Sequence, residues 1–186
     1  MEAENAASLL GSAYHLIARY SHFRGDFIAA LESYEKAKER LPDNPAVLFG
    51  LGQCYLQKND YRALETFEAV LRLVPDCIEA LKILADKHGE RNQADLKLKA
   101  TEYFDRLKRA FKVSPSGAGL DQITDAEILV AFGKSFEDTD SRASLTAYTR
   151  ALEILEQRQE GIPAELWNNI GSLEYQGVCS LRPGKC

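Results

Sequence analysis

Apolar and small residues recur along this chain at intervals of three and four, the spacing that places them on one face of a helix. The clearest example is a pair of segments within residues 45–75 that ends at a proline. The positions concerned are Leu48, Leu51, Gly52 and Tyr55 in the first segment, and Ala63 and Phe67 in the second. The pattern predicts two helices that pack against each other through these positions.

Two glycines interrupt the first of these segments, in FGLGQCY, residues 49–55. Glycine inside a helix costs about 1 kcal/mol relative to alanine, so it is useful mainly where another group must approach the backbone. We expect Gly52 to lie where the first helix meets the second, near Ala63. For Gly50 two alternatives stay open: it faces an inner groove, or it lets a neighbouring helix approach.

The pattern repeats, and it matches the tetratricopeptide motif of about 34 residues per helix pair. We predict an array over residues 1–176, with repeats at about 11–44, 45–77, 78–115 and 125–161, a partial repeat at 163–176, and a non-repeat tail at 177–186. The fourth repeat is placed from Ile128, Ala131 and Phe132. The predicted packing positions are Ala30, Tyr34, Gly52, Ala63, Phe67, Tyr148, Trp167 and Gly171. The expected fold is an all-α right-handed superhelix of about four helix pairs plus one extra helix.

Capping residues support the same helix boundaries independently of the repeat pattern. Asn44 before Pro45 predicts an N-cap followed by proline at the first helical position. Asp76 is predicted to cap the next helix, and Thr124 with Glu127 to form a capping box.

Composition favours protein partners over other ligands. The chain has 186 residues, 45% of them hydrophobic, and a net charge of −5 from 23 basic and 28 acidic residues. An acidic balance argues against sequence-specific nucleic-acid binding, and no apolar run reaches the length that spans a membrane. The four cysteines include no CxxC pair, which argues against a zinc site or a disulfide framework.

Catalytic patterns are not found in the sequence. The three histidines fall in separate repeats, and no nucleophile elbow, phosphate-binding loop or metal-ligand spacing occurs. We therefore predict no enzyme activity, no catalytic or metal-binding residues and no cofactor.

First-helix positions line the inner groove of such repeats, and they are the candidate binding residues. They are His15, Arg19, Phe49, Gln53, Lys82 and Asp86. A peptide docked there would place an acidic segment against Arg19 or Lys82. For each residue taken singly, an ordinary solvated position is the alternative.

Cochaperones with this repeat grip a C-terminal carboxylate through lysine and asparagine on the first helix, asparagine on the next, and lysine with arginine on the third. Here His15 and Arg19 stand at the first pair, Gly50 at the middle asparagine, and Lys82 is followed by Asp86. The carboxylate clamp is therefore broken.

Longer stretches resemble one family of repeat scaffolds. AYHLIARYSHFRGDFIAALESYEKA, FGLGQCYL, FEAVLRLVPDCIEALKILA, TDSRASLTAYTRALEIL and IPAELWNNIGSLEY occur in this order over most of residues 12–175. Together they resemble the tetratricopeptide scaffold subunit of the RNA polymerase II associated factor complex, the PAF complex. Members of that family are much longer, and the insertion HGERNQADLKLK departs from the expected pattern.

The resemblance implies a nuclear, non-enzymatic subunit that binds other PAF-complex subunits and RNA polymerase II. Such a subunit acts in transcription elongation and transcription-coupled histone modification. The alternative is a generic cytoplasmic adaptor or cochaperone that binds a short peptide in its groove.

Overall fold

The computed structural model describes the backbone of residues 2–90 and 93–181, and the side chains of residues 5–90, 93 and 95–177. Within these ranges the chain forms nine α-helices, one short 3-10 helix and no strand, which confirms the predicted all-α class. Residues 182–186 of the predicted tail, including Cys186, lie outside the described residues, as does the side chain of Cys179.

The helices follow one another through short turns. Their bounds are α1 Glu2–Phe23, α2 Phe27–Arg40, α3 Pro45–Gln57, α4 Arg62–Leu73, α5 Ile78–Gly89, α6 Ala94–Ala110, α7 Ala126–Phe136, α8 Ser141–Gln157 and α9 Ala164–Leu181, with the 3-10 helix at Leu120–Gln122 between α6 and α7. Met1–Lys87 and His88–Cys186 form two compact units, here called the first and second unit. The predicted limits of the individual repeats stay a prediction.

In the first unit, α1 packs on α2, α3 packs on α4, and α2 packs on α3. Small residues allow these helices to approach closely, because Ala18, Ala30 and Ala37 are fully buried. The side chain of Phe67, also fully buried, fills the contact between α3 and α4.

Gly50 and Gly52 each allow an aromatic ring to approach α3. A Cβ atom added at Gly52 would lie 3.0 Å from Cζ of Phe67. A Cβ atom at Gly50 would overlap the ring of Tyr34, which comes from the preceding helix α2. Gly50 also lines a groove, so both roles considered for it from the sequence occur together.

In the second unit, α7 packs on α8, and α8 packs on α9. The last turn of α5 contacts α6 through a stacked pair, His88 and Tyr103, whose ring centroids are 5.7 Å apart. A Cβ atom at Gly133 would overlap the ring of Tyr148, so this glycine plays the part in α7 that Gly52 plays in α3.

The extra helix α9 buries Leu166, Ile170 and Leu173. The predicted packing residues Trp167 and Gly171 lie on its other side. Trp167 is 50% exposed, and a Cβ atom at Gly171 would have no described neighbour within 4 Å. The packing role of these two residues stays a prediction.

The caps agree with the sequence at the start of α3 and correct it at the starts of α5 and α7. Asn44 Oδ1 accepts hydrogen bonds from Ala46 N at 3.0 Å and Val47 N at 3.2 Å, as expected. The prediction that Asp76 caps α5 is wrong, because α5 begins at Ile78 and the carbonyl of Cys77 accepts its first bond, from Leu81 N at 3.0 Å.

The predicted capping box at Thr124 is also wrong. Asp125 caps α7, and its Oδ1 accepts from Glu127 N at 2.9 Å and Ile128 N at 3.2 Å. An aspartate is a better N-cap than a threonine, and its charge also interacts favourably with the helix dipole.

Candidate functional site

An open groove of about 470 Å³ lies in the first unit. Residues from α1 to α4, from the turn before α5 and from the first turn of α5 contribute to it. They are His15, Arg19, Tyr34, Pro45, Ala46, Phe49, Gly50, Gln53, Val70, Val74, Cys77 and Glu79. We call this the α1–α3 groove. Its volume falls within the range of small-ligand and peptide side-chain pockets.

The α1 side of the groove carries its cation. His15 and Arg19 are four residues apart and therefore lie on the same face of α1. Burial, and then the nearby charge of Arg19, lower the pKa of His15, so its imidazole is neutral at pH 7. Arg19 is exposed and makes no hydrogen bond or ion pair with another described residue.

The floor of the groove is apolar. Phe49 from α3 packs edge-on against Phe67, with ring centroids 5.4 Å apart. Val70 and Val74 line the same floor from the end of α4. Burying a bulky apolar side chain against such a surface is favourable by about 25 cal/mol per Å² of apolar area.

Tyr34 is a buried polar residue in this lining, and only 3% of it is exposed. Its ring lies between two imidazoles, 6.0 Å from the centroid of His15 and 6.2 Å from that of His22, and against Gly50. Burial raises the pKa of the phenol, so it stays protonated. Its hydroxyl makes no hydrogen bond with another described residue.

The remaining wall comes from the turn before α5 and from its start. Cys77 Sγ donates a weak hydrogen bond to Glu79 Oε2 at 3.8 Å. Burial raises the pKa of the Cys77 thiol, which opposes formation of the nucleophilic thiolate. Cys54 is fully buried in α3, and burial raises its pKa to about 11.

Four of the six predicted groove residues line the α1–α3 groove: His15, Arg19, Phe49 and Gln53. Lys82 and Asp86 lie on α5 outside this lining, half-buried. Binding by any of the six stays a prediction.

Sequence reasoning did not assign Tyr34 to the groove, nor Pro45 and Ala46. Pro45 and Ala46 precede Phe49 by four and three residues, and this helical spacing was the available signal. Tyr34 lies on the second helix of its pair, and no local pattern shows that its hydroxyl is left without a partner.

Other kinds of site are not evident in the described part of the chain. No group of three histidine, cysteine, aspartate or glutamate side chains there could hold a metal ion. None of the helices in the described ranges has the length and apolar character needed to cross a membrane.

Comparison with known proteins identifies the repeat. Residues 24–87 match the family model of the tetratricopeptide repeat. The crystal structure of MamA protein has the same fold, with a TM-score of 0.62 and 20% sequence identity over 92% of this chain and 85% of that chain. Residues 24–87 are therefore a tetratricopeptide repeat domain, and the fold class predicted from the sequence is confirmed.

Two curated relatives match most of this chain. It is 32% identical over 171 residues to Tetratricopeptide repeat protein 1 of Schizosaccharomyces pombe, which is 91% of this chain and 16% of that protein. It is 30% identical over 168 residues to Protein CTR9 homolog of Arabidopsis thaliana, which is 88% of this chain and 14% of that protein. The chain thus spans a small part of the length of these relatives.

Proposed function

We propose that this chain is a non-enzymatic scaffold of the PAF complex, which binds other subunits and RNA polymerase II in the nucleus. In this role it supports transcription elongation and transcription-coupled histone modification. It carries out no bond-making step, and it acts by holding segments of its partners on the surfaces of its helix pairs.

The match to Protein CTR9 homolog over 88% of this chain is the observation that carries the proposal. We take that relative to be a scaffold subunit of the PAF-complex class. The sequence segments between residues 12 and 175 that occur in the same order as in that family, including FGLGQ and NNIG, support the same assignment.

The α1–α3 groove supports the binding role itself. Its apolar floor and single cation suit an extended segment of a partner protein. Tetratricopeptide arrays bind through such concave surfaces, and rigid helices hold the contact residues in place.

Affinity purification tests the PAF-complex assignment. The tagged chain is expressed in nuclei of a host that carries the PAF complex, and co-purifying proteins are identified by mass spectrometry. We expect PAF-complex subunits and RNA polymerase II. The variant Arg24→Gln, in the exposed turn after α1, serves as a matched control for charge changes and should recover the same set.

The alternative is a cytoplasmic adaptor or cochaperone, as the name of the Schizosaccharomyces pombe relative specifies only the repeat. The position of Gly50 argues against the cochaperone, because any side chain there would overlap Tyr34. Recovery of chaperones without polymerase subunits would contradict the PAF-complex proposal and favour this alternative.

A further inference from the structure

The outward face of α1 is apolar along most of its length. Its residues follow one another in alternating steps of three and four, which places them in one line along the helix. They are Ala6, Leu9, Ala13, Leu16, Tyr20 and Phe23. The four large side chains among them are between 62% and 89% exposed. Ala18, on the opposite side of α1, is fully buried, so this line of residues points away from the core of the first unit. We call it the α1 stripe.

An exposed apolar surface of this size indicates an interaction site. The α1 stripe presents roughly 600 Å² to solvent, taking about 150–250 Å² for each large side chain when it is fully exposed. Larger apolar patches are rare on monomeric proteins unless they bind something. An interface of standard size buries about 800 Å² on each partner. The stripe, with the exposed Ile17 beside it, therefore supplies most of one side of such an interface.

The stripe does not fit the contact that joins one helix pair to the next. One repeat length after Leu16 comes Gly50, where the ring of Tyr34 from α2 takes the space of a side chain. One repeat length after Tyr20 comes Cys54, which is small and fully buried. Because α1 carries leucine and tyrosine at these two places, a helix like α2 could not approach α1 as closely as α2 approaches α3.

The length of α1 points to a long partner helix. α1 has 22 residues, whereas α3 has 13 and α2 has 14. The additional residues of α1 precede Gly11, which lies one repeat length before Pro45, and they carry Ala6 and Leu9 of the stripe. A helix as short as α2 would cover only part of the stripe. A second α1 has the length to cover all of it.

Two copies of α1 match each other along the stripe when they run antiparallel. Each facing pair then forms twice about a two-fold axis, and the small residues of one copy meet large residues of the other. The pairs are Ala6 with Phe23, Leu9 with Tyr20, and Ala13 with Leu16. A parallel arrangement would place alanine against alanine and tyrosine against tyrosine, which leaves gaps next to crowded rings. It would also bring together the cations near the end of each helix, Arg19 and Arg24.

We propose that the α1 stripe is a homodimer interface, in which α1 packs antiparallel against α1 of a second copy of this chain. The stripe supplies the apolar centre of the interface, and the alternation of small and large residues sets its register. The inference concerns how the chain assembles with itself, and it does not depend on the PAF-complex assignment.

Sedimentation equilibrium of the full chain over a range of concentrations tests the dimer. We expect a monomer–dimer equilibrium with a Kd in the micromolar range or tighter, as interfaces of this size give. Leu16→Glu places two like charges near the two-fold axis and should weaken dimerisation at least about 100-fold. Helix content by circular dichroism should stay unchanged, because Leu16 is exposed within one copy.

Leu98→Glu is the matched control. Leu98 lies on α6 and is 73% exposed, so the same substitution adds the same charge to a comparably exposed leucine outside the stripe. This variant should dimerise as the wild type does.

An exchange of charge between facing positions tests the antiparallel register. Leu9→Glu and Tyr20→Lys should each dimerise poorly alone. When the two variants are mixed, glutamate of one copy faces lysine of the other, and they should associate at least about tenfold more tightly than either variant does with itself. In a parallel pair these positions lie about 16 Å apart along the helices, so mixing would restore nothing.

A chain that remains monomeric at about 100 μM would overturn the proposal. A dimer that persists in Leu16→Glu, or that Leu98→Glu weakens to the same extent, would overturn it as well. Failure of the mixed variants to associate would contradict the antiparallel register on which the proposal rests. A wild-type dimer that recovers no PAF-complex subunits would support this inference and contradict only the PAF-complex assignment.

Discussion

Tyr34 in the first unit and Tyr148 in the second occupy the same position of their helix pairs, four residues after Ala30 and Ser144. Their hydroxyls differ. Tyr148 is fully buried and donates to Glu137 Oε1, and the side chain of Asn169 from the following helix lies near its hydroxyl. Tyr34 makes no hydrogen bond with a described residue and lines a groove.

The hydrogen bond that distinguishes the two tyrosines is the one to Glu137, which directly follows α7. The following helix adds a second difference. Asn169 precedes Gly171 by two residues, just as Gly50 precedes Gly52. The asparagine in the second unit supplies a polar side chain to its tyrosine, whereas glycine in the first unit supplies none. The same aromatic position is thus hydrogen-bonded within the chain in one unit and open to solvent in the other.

Alanine substitutions at three glycines should have the largest effects on stability, and these effects should differ between the two units. Gly133→Ala should destabilise the chain by about 1–3 kcal/mol, because the added methyl overlaps Tyr148, which is fully buried. Gly50→Ala should cost less, since the Tyr34 ring borders the open groove. Urea unfolding followed by circular dichroism measures both.

Gly171→Ala is the matched control for this pair. An added Cβ atom at Gly171 meets no described neighbour within 4 Å, so the gain in helix propensity of up to about 1 kcal/mol should stabilise the chain. A Gly133→Ala chain as stable as the wild type would contradict the proposed equivalence of Gly133 and Gly52.

Removing each hydroxyl should sharpen the comparison of the two tyrosines. Tyr148→Phe removes the bond to Glu137 and should cost about 1–2 kcal/mol. Tyr34→Phe should stay within about 0.5 kcal/mol of the wild type. Equal losses in urea unfolding would show that the Tyr34 hydroxyl has a structural partner after all.

Alanine substitutions at the helix caps test whether Asp125, and not Thr124, caps α7. Asp125→Ala should cost about 1 kcal/mol, as should Asn44→Ala in the first unit. Thr124→Ala should have almost no effect, because Thr124 contributes its backbone carbonyl to Arg158 Nη2 at 2.9 Å, and the substitution keeps it. A larger loss for Thr124→Ala than for Asp125→Ala in thermal unfolding would reinstate the capping box.

The smallest effect concerns alkaline pH. Tyr55 donates to Glu35 Oε1 at 3.0 Å, and burial followed by this bond raises its pKa from 10.0 to about 12. Because the folded-state pKa is the higher one, the contribution to stability is fully present below pH 10 and is lost as the pH rises through 12.

Titration of phenolate absorbance in the wild type and in Tyr55→Phe measures this shift. We expect the wild type to contain one tyrosine that ionises near pH 12 and that Tyr55→Phe lacks. Identical titration curves would mean that the bond to Glu35 does not persist in solution. Tyr148, paired with Glu137 in the second unit, also has a raised pKa.

Much of the fold was predictable because its signals are local. Helix spacing, Asn44 before Pro45 and the small residues of FGLGQCY are all visible in short windows of sequence. The sequence prediction places the fourth repeat on Ile128, Ala131 and Phe132, which leaves Gly133 without a packing role. The alternative set, Leu129, Phe132, Gly133 and Phe136, has the same spacing as Leu48, Leu51, Gly52 and Tyr55.

The groove was predictable only in part. Positions on one face of a first helix follow from its period, and this brought His15, Arg19, Phe49 and Gln53 to the correct surface. The residues from α4 and from the turn before α5 come from other elements, and their convergence depends on how the helices pack. Lys82 also lies on the predicted face of a first helix, yet it is outside the lining of the groove.

The sequence by itself determined the helices, most of their ends and the repeat, because these depend on residues within one or two turns of each other. Tertiary structure decided which polar groups find partners. Tyr34 and Tyr148 have similar local contexts, and what separates their hydroxyls is the acceptor that another segment supplies, Glu137 for Tyr148 and none of the described residues for Tyr34. Hydrogen-bond satisfaction is a property of that packing, so the candidate binding chemistry emerged only with the folded chain.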